Sequence, residues 1–461
     1  MANDQLASTT QEKTDAPTAT GTPADNGGTE GGAGSLARNL VAGAALVGGA
    51  SALAYEAIRR LRQRGPARSY RYYRQVFDGR PMPFAYVDLD ALRTNISRVL
   101  DATGNKSIRI GSKSVRSVAM LKLLLNADPR IRGVLAYNAP EAVYLAENGI
   151  EDIVIAYPTW HPDHVEEVAN ALRRGRSITL MVDSLDHVRH LEGIAARLDV
   201  NLPLCIDLDV SSDYPGGRFG VWRSPLRTTR QAINLIDFIE QAGHVYLDGI
   251  MGYEAQIAGI PDDLPGQWFN NFRLRTLKRQ SMREVMTQRA EVLAVLQTSG
   301  VLLRFFNGGG SGSLRATTKD RTVTEITVGS AFYAPHLFDN YKEVSFEPAA
   351  GYAIEIVRRP AHDIFTCNGG GYVASGGAGK NKLPQPYLPD GAFLLDVEGA
   401  GEVQTPVRYL GPERLALGDP VFMRHAKAGE LCEHFNTLLL VSDGKIVDEV
   451  TTYRGDGQAF G

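Results

Sequence analysis

Ile108-Arg109-Ile110-Gly111-Ser112-Lys113-Ser114-Val115-Arg116 is the stretch whose reading decides the fold of this chain. A short apolar run ends in one lysine set among small residues, and helix-like sequence from Val118 to Leu125 follows at once. This is the pattern of a β-strand that delivers an amine to the mouth of an α/β barrel, where strand ends carry the chemistry because the backbone is fixed and the side chain is free. An amine that is partly desolvated there has a lowered pKa and can form a Schiff base with an aldehyde. The alternative is a plain surface lysine at a strand end, and the rest of the sequence has to decide between them.

Working outward, Phe84 to Asp90 alternates like a strand, with Asp90 expected to cap a helix that begins at Ala91. From the lysine strand onward, short apolar runs occur at Ile108–Lys113, Gly133–Asn138, Asp152–Tyr157, Ile178–Asp183, Pro203–Asp209, Leu247–Tyr253, Leu303–Asn307 and Glu325–Val328. Helical periodicity separates them, as in Glu141–Asn148, Val165–Arg173, His187–Leu198, Gln231–Ala242 and Leu277–Thr298. Near-continuous apolar strands that alternate with amphipathic helices indicate a parallel sheet covered by helices. Eight such repeats predict an α/β fold that closes as a (β/α)8 TIM barrel.

From about Val344 the helical period stops. Short strands are expected at Tyr352–Arg358, Ile364–Cys367, Gly391–Leu395, Thr405–Tyr409, Pro420–Arg424, Thr437–Ser442 and Lys445–Val450, separated by Gly, Pro and Asp turns. The expected organisation is a barrel over residues 66–343 followed by a smaller all-β domain over 344–461, with the strand at 84–90 pairing with the latter.

Composition narrows the function. A formal net charge of −3 leaves no basic stripe for nucleic acid, and a 43% apolar, 22% charged composition is that of a soluble globular protein. Three widely spaced cysteines, Cys205, Cys367 and Cys432, make neither a zinc ribbon nor a disulfide framework, so a reducing, cytoplasmic setting is expected. Residues 1–35 lack the apolar side chains needed to offset ordering entropy and are expected to be a disordered tail. Within 36–65, an uncharged run from Asn39 to Tyr55 precedes Arg59, Arg60, Arg62 and Arg64. Positive charge after the run argues against a signal peptide. A short membrane anchor, with weak association through residues 39–55, stands beside a surface-lying or floppy helix.

Two glycine-rich turns carry further chemistry. Asn307-Gly308-Gly309-Gly310-Ser311-Gly312-Ser313 follows the seventh barrel strand, and Gly329-Ser330 follows the eighth. Phosphate sites in such barrels are built from these two loops, where glycines let backbone N–H groups converge on an anion. A third stretch, Asn368 to Asn381, invites a nucleotide-loop reading but fails it, with Ala374 at the first required glycine and Asn381 after the lysine. Asp207, Asp209 and Arg218 flank the end of the fifth strand, and Tyr253 with Glu254 ends the sixth; a loop salt bridge and barrel packing are the plain alternatives for Arg218 and Tyr253. In the β domain, His425 suits proton transfer near neutrality, and His425, Glu430, Glu433 and His434 are metal-binding types at a spacing that matches no standard zinc pattern.

These residues together give a resemblance. Tyr86-Val87-Asp88-Leu89-Asp90 with Asn95 and Ile96, a strand ending in Ser112-Lys113-Ser114, a Gly-rich turn after strand seven and a β domain with a late histidine are similar to the fold-type III, alanine-racemase-like pyridoxal-phosphate enzymes. Within them the chain from about residue 80 resembles the D-threonine aldolase and D-serine dehydratase branch more than alanine racemase. The resemblance implies pyridoxal 5'-phosphate as cofactor, Lys113 as its Schiff-base lysine, Arg218 and Tyr253 along its ring, and Asn307, Gly309, Gly310, Ser311, Gly312, Gly329 and Ser330 around its phosphate. It implies a homodimer and a D-amino acid substrate, with aldol cleavage or dehydration of a D-β-hydroxy amino acid as the reaction. A racemase and a non-catalytic cofactor carrier are the alternatives. His425 matches the β-domain histidine that helps bind a divalent metal in these enzymes. The second ligand position there is Cys or Asp, whereas this chain has Lys427, which would repel a cation, so either Glu430 or Glu433 takes its place or the site works without a metal.

Overall fold

The computed structural model describes residues 68–461 except Ala378 and Ala428. The expected tail and apolar segment before residue 66 lie outside the described residues. Among the described residues, no helix is long and apolar enough to cross a membrane.

After a short tyrosine-rich helix, α1 (Tyr70–Val76), strand β1 (Phe84–Asp88) leads into α2 (Leu89–Thr103). The cap of α2 is Asp88 and not Asp90: the strand ends two residues earlier than its alternation suggests, and Asp88 Oδ1 accepts from the N–H groups of Asp90 (3.0 Å) and Ala91 (3.1 Å). Asp90 is left to pair with Arg68 and Arg93.

The eight expected apolar runs form a closed parallel barrel of β2 (Ser107–Gly111), β3 (Ile131–Ala136), β4 (Ile153–Ile155), β5 (Ile178–Val182), β6 (Leu202–Asp207), β9 (Val245–Gly252), β10 (Phe305–Gly308) and β11 (Glu325–Val328). Between β6 and β9 an unexpected small hairpin, β7 (Ser212–Tyr214) with β8 (Gly217–Phe219), rises from the strand ends. The helix between β9 and β10, Trp268–Ser299, starts earlier than its apolar period does, because its first turns carry exposed aromatic and basic residues.

Leu135, Val154, Met181, Cys205, Met251 and Phe305 form an apolar cluster inside the barrel. Charge is also buried there, in paired form. Arg109, fully buried on β2, bridges Glu325 on β11 (2.6 Å) and Asp152 (3.0 Å), while Arg304 joins Asp152 and Asp248 (both 2.6 Å). Buried charges survive only when paired and hydrogen-bonded, and this network ties β2, β9 and β11 to the residues that enter β4 and β10.

The remaining strands make a nine-stranded sheet that includes β12 (Ala350–Ala361), β13 (Ile364–Asn368), β14 (Gln385–Leu388), β15 (Ala392–Leu394), β16 (Gln404–Tyr409), β17 (Pro420–Arg424), β18 (Thr437–Ser442) and β19 (Lys445–Thr451). Its ninth member is β1, paired antiparallel to β12 and parallel to β18. Tyr73 and Phe77 pack with Tyr86 and Phe422 against this sheet.

Candidate active site

At the end of β2 the backbone tightens into a single 3₁₀ turn, Ser112–Ser114, with the N–H groups of Val115 and Arg116 both closing on the Ser112 carbonyl (2.8 and 2.9 Å). The barrel holds this turn from one side through Ser112 Oγ to the Leu135 carbonyl (3.0 Å) and Ser114 Oγ with Ser330 Oγ (3.3 Å). The β domain holds it from the other: the Gly429 N–H donates to the Lys113 carbonyl (3.3 Å), Cys432 Sγ to the Val115 carbonyl (3.3 Å), and Arg116 pairs with Glu433. The Lys113 side chain is exposed at the barrel mouth, with neighbouring protein crowding its base. That partial desolvation, reinforced by the cations of Arg223 and Arg116 and opposed by Glu430, lowers its pKa below that of a free lysine.

The two glycine-rich turns meet beside it. Ser311 Oγ accepts from the N–H groups of Gly329 (3.4 Å) and Ala331 (3.0 Å), which locks the turn after β10 to the turn after β11. Gly309 has φ +83, a backbone conformation that glycine adopts without strain. Gly312 is packed so closely that a Cβ would lie 2.3 Å from the Ala258 carbonyl oxygen. Under the turns sits a fully buried ion pair that periodicity does not reveal. Glu254 accepts from the Gly309 N–H (3.0 Å), Ser313 Oγ (3.0 Å) and Thr317 Oγ1, and pairs with Arg289, which also binds Asp320 (2.9 Å) and the Gly252 carbonyl. Burial works to raise the Glu254 pKa, but Arg289 and these donors outweigh it and hold the carboxyl below its ordinary value. Two residues expected at the cradle are committed elsewhere: Asn307 faces Glu325 (2.7 Å) and Thr327 (3.0 Å) within the barrel, and the Gly309 N–H is taken by Glu254. The Gly310 N–H likewise goes to Ser313 Oγ (3.1 Å) and the Gly329 N–H to Ser311 Oγ, so Gly310 and Gly329 shape the cradle by their lack of a side chain while Ser311, Gly312 and Ser330 offer it donors.

Tyr253, directly after β9, is half-buried against Gly310, and desolvation pushes its hydroxyl pKa up to about 12. Arg218 does not share this position. It is tied to Asp209 and to the Val221 carbonyl and stacks on Trp222, because it lies on β8 rather than at the strand end. The arginine over the Tyr253 ring is Arg223, 5.8 Å from its centroid and 5.7 Å from that of Tyr157. Arg223 also faces Asp207, whose carboxyl is raised to about 7 by burial and by Asp183, with Arg223 opposing. Asp183 in turn is held by His187 (2.9 Å).

The β domain supplies the outer wall. His425 is fully buried directly after β17, its carbonyl accepting from the His336 N–H (3.1 Å), while the preceding Arg424 is fixed by Asp339 (2.6 Å). The glycine-rich stretch that fails as a nucleotide loop folds here: Tyr372 stacks on His434 with centroids 4.2 Å apart, and the buried Tyr372 hydroxyl has no hydrogen-bond partner. Among the described residues, no group of three or more His, Cys, Asp or Glu side chains is arranged to hold a metal ion. A lone amine of lowered pKa, two interlocked turns rich in N–H groups and an unpartnered buried hydroxyl fit a phosphate-bearing aldehyde. The donor set around His425 does not fit a divalent cation.

The sequence from residue 87 to 336 matches the family model described as alanine racemase, N-terminal domain. The chain belongs to this family. Alanine-racemase-like enzymes of this fold type use pyridoxal 5'-phosphate. A 3-hydroxy-D-aspartate aldolase of Paracoccus denitrificans (strain Pd 1222) is 25% identical over 251 residues, 54% of this chain and 59% of that protein. The chain thus spans about three fifths of the length of the curated relatives it matches. Among solved structures, D-threonine aldolase from Filomicrobium marinum superposes with a TM-score of 0.68 at 16% identity, over 82% of this chain and 96% of that one. D-threo-3-hydroxyaspartate dehydratase from Delftia sp. HT23 gives a TM-score of 0.65 at 17% identity, over 81% and 98%. At such identities the likeness establishes the barrel and β-domain architecture of the family.

Proposed function

We propose that this chain is a pyridoxal-phosphate-dependent lyase acting on a D-β-hydroxy amino acid, by aldol cleavage or by dehydration and deamination. The observation that carries the reading is Lys113, an amine of lowered pKa on a turn whose backbone and flanking serine are held by the β domain and by the phosphate-type turn after β11. The aldolase and dehydratase activities of the relative and the structural neighbours support the same chemistry.

Lys113 would hold the cofactor covalently, and Gly310, Ser311, Gly312, Gly329 and Ser330 would hold its phosphate. When bound, the cofactor supplies an electron sink for negative charge at the substrate Cα. The Lys113 amine would be the group to take or return the Cα proton, since its lowered pKa leaves more of it unprotonated near neutrality. Tyr253 and Arg223 line the ring side of the mouth, and the β-domain loop braces the Lys113 backbone through the Gly429 N–H. His425 is assigned the substrate's hydroxyl proton. A racemase is the second reading, favoured by the unpartnered Tyr372 hydroxyl beside Glu430, which could serve as an acid on the other face. A cytoplasmic homodimer, weakly membrane-associated through residues 39–55, completes the reading and is testable by light scattering and vesicle flotation.

The test is a visible absorption spectrum of the purified protein before and after borohydride, with Lys113→Ala beside it. A band abolished by reduction, a cofactor adduct on the Lys113 peptide and loss of both in the variant are expected. D-β-hydroxy amino acids are then assayed for aldehyde, for ammonia with keto acid, and for inversion at Cα. Absence of any band after cofactor addition would sink the proposal.

A further inference from the structure

The loop from Asn368 to Asn381 is gripped at Ser375 by two residues of the loop that follows His425. The Ser375 N–H donates to both carboxylate oxygens of Glu430 (3.1 and 3.3 Å), and Lys427 Nζ donates to the Ser375 carbonyl (3.2 Å) and hydroxyl (3.3 Å). One residue on, the point where a Cβ would stand on Gly376 lies 3.8 Å from Lys427 Nζ and 3.9 Å from Lys382 Nζ, so two ammonium groups converge on a position without a side chain. Lys427 is also in electrostatic reach of Lys113 and Arg223, with Glu430 the one opposing charge that acts on it. Among the described residues, neither Lys382 nor Lys427 has a carboxylate within ion-pair distance, whereas Lys278 pairs with Asp262 and Lys380 with Asp396. Glu430 is occupied by the Ser375 N–H.

Like charges gathered in a partly desolvated place raise one another's cost unless an anion joins them. A protonated lysine has three donors and no lone pair, so it cannot ligate a divalent cation and repels one. We propose that Lys427, with Lys382 beside it, forms an anion subsite that stands in for the divalent metal of related enzymes, and receives an anionic oxygen group on the substrate's side chain. The inference rests on the cofactor-dependent reading above and adds to it a metal-free site. The positive charge is here carried by the chain's own side chains, so the site needs no metal loading, and side chains that bear a carboxylate, which would favour the protonated lysines, are preferred over those that bear a methyl group.

The experiment uses the full-length holoprotein. After exhaustive chelation the wild type is expected to keep its activity and its cofactor band, and calorimetry with Mn²⁺ is expected to show no binding. Malonate, a probe dicarboxylate, should perturb the cofactor band, and Lys427→Gln should weaken that response about tenfold, the loss typical of one charge-assisted hydrogen bond. Lys427→Asp should bind Mn²⁺ and become dependent on it. The Gln variant, nearly isosteric and folded if it retains the cofactor band, guards against misfolding of the Asp variant. Activity lost on chelation and restored by Mn²⁺ in the wild type, or a malonate response indifferent to Lys427→Gln, would overturn the subsite while leaving the cofactor band intact. Failure of the reading on which it rests would instead appear as no band at all.

Discussion

Arg289→Met asks how much of the phosphate cradle depends on a side chain that touches none of it. Arg289 is fully buried on the long helix Trp268–Ser299 and is shared between Glu254, Asp320 and the Gly252 carbonyl. Methionine keeps much of the stem volume and removes the cation. Glu254, with no exposed surface, would then be a buried carboxylate held only by the Gly309 N–H and the hydroxyls of Ser313 and Thr317. Breaking a buried pair from one side typically costs about 3–5 kcal/mol, most of it the uncompensated charge left behind. The Glu254 carboxyl, freed from Arg289, should rise in pKa, so the variant should be less destabilised at pH 5 than at pH 8. Adding Glu254→Gln removes the orphaned charge and should return about 1–3 kcal/mol as coupling in a double-mutant cycle. Urea unfolding at the two pH values gives the stabilities, and titration of the visible band gives cofactor affinity, which should fall because Gly309 and Ser313 lose their anchor. A cost below about 1 kcal/mol, the range of ordinary surface changes, or a large cost with unchanged cofactor affinity, would refute the claim that this pair holds the cradle.

Three further outcomes follow from the same geometry. Glu141 is fully buried beside the Lys113 turn, accepting from the Tyr137 N–H (2.7 Å) and the Tyr453 hydroxyl (2.9 Å), and burial raises its pKa from 4.5 to about 7 against those donors. The native state therefore holds a proton that the unfolded chain releases, and stability should fall by roughly 3 kcal/mol as pH rises through that window and level off above it. Glu141→Gln should flatten this slope in thermal melts from pH 4 to 8, and equal slopes in both proteins would contradict the assignment. Gly312→Ala places a methyl 2.3 Å from the Ala258 carbonyl and 2.6 Å from Tyr341 Cε1, so the turn must move; cofactor affinity should drop by about tenfold or more while the barrel still folds, as circular dichroism would report. Arg223→Met removes a cation that lowers the Lys113 pKa, so the pH dependence of cofactor attachment should shift upward, and an unmoved profile would show that Arg223 does not act on the amine.

The barrel was legible because its strands are buried on both faces and read as unbroken apolar runs, each ending in the small or polar residues that a barrel mouth requires. Strand β14 escaped notice since Pro386 interrupts it, Pro389 follows it at once and its edge position needs little apolar content. The hairpin β7–β8 has no alternation to read, so the sequence offered Arg218 for the ring side and gave no reason to consider Arg223, which follows the hairpin. Asp88 and Asp90 were equally good caps by composition, and only the strand's true end separates them. The Glu254–Arg289 pair joins residues far apart in sequence on a strand end and a helix interior, and Arg289 on its own reads as one more charge on a polar helix. Lys427 was the reverse case, visible as a departure from the resemblance but given a role only by the ammonium of Lys382 and the grip on Ser375.

The path of β1 bears on whether the barrel could act alone. This strand precedes the barrel in sequence, yet it sits between β12 and β18 and gives the barrel none of its hydrogen-bonded ladder. A fragment ending near residue 343 would leave both edges of β1 unpaired. It would also strip the Lys113 turn of Gly429, Cys432, Glu433 and Tyr453, the last of which donates its N–H to the Arg116 carbonyl (2.9 Å) and its hydroxyl to Glu141 (2.9 Å). An unpaired apolar strand is a template for association, and an amine that loses its wall regains water and the pKa of a free lysine. The fragment 68–343 should therefore aggregate, or stay soluble with a Lys113 that no longer titrates low and holds the cofactor weakly. A soluble monomeric fragment with full cofactor affinity would mean that the β domain only covers the site, and the carrier alternative would then regain its force.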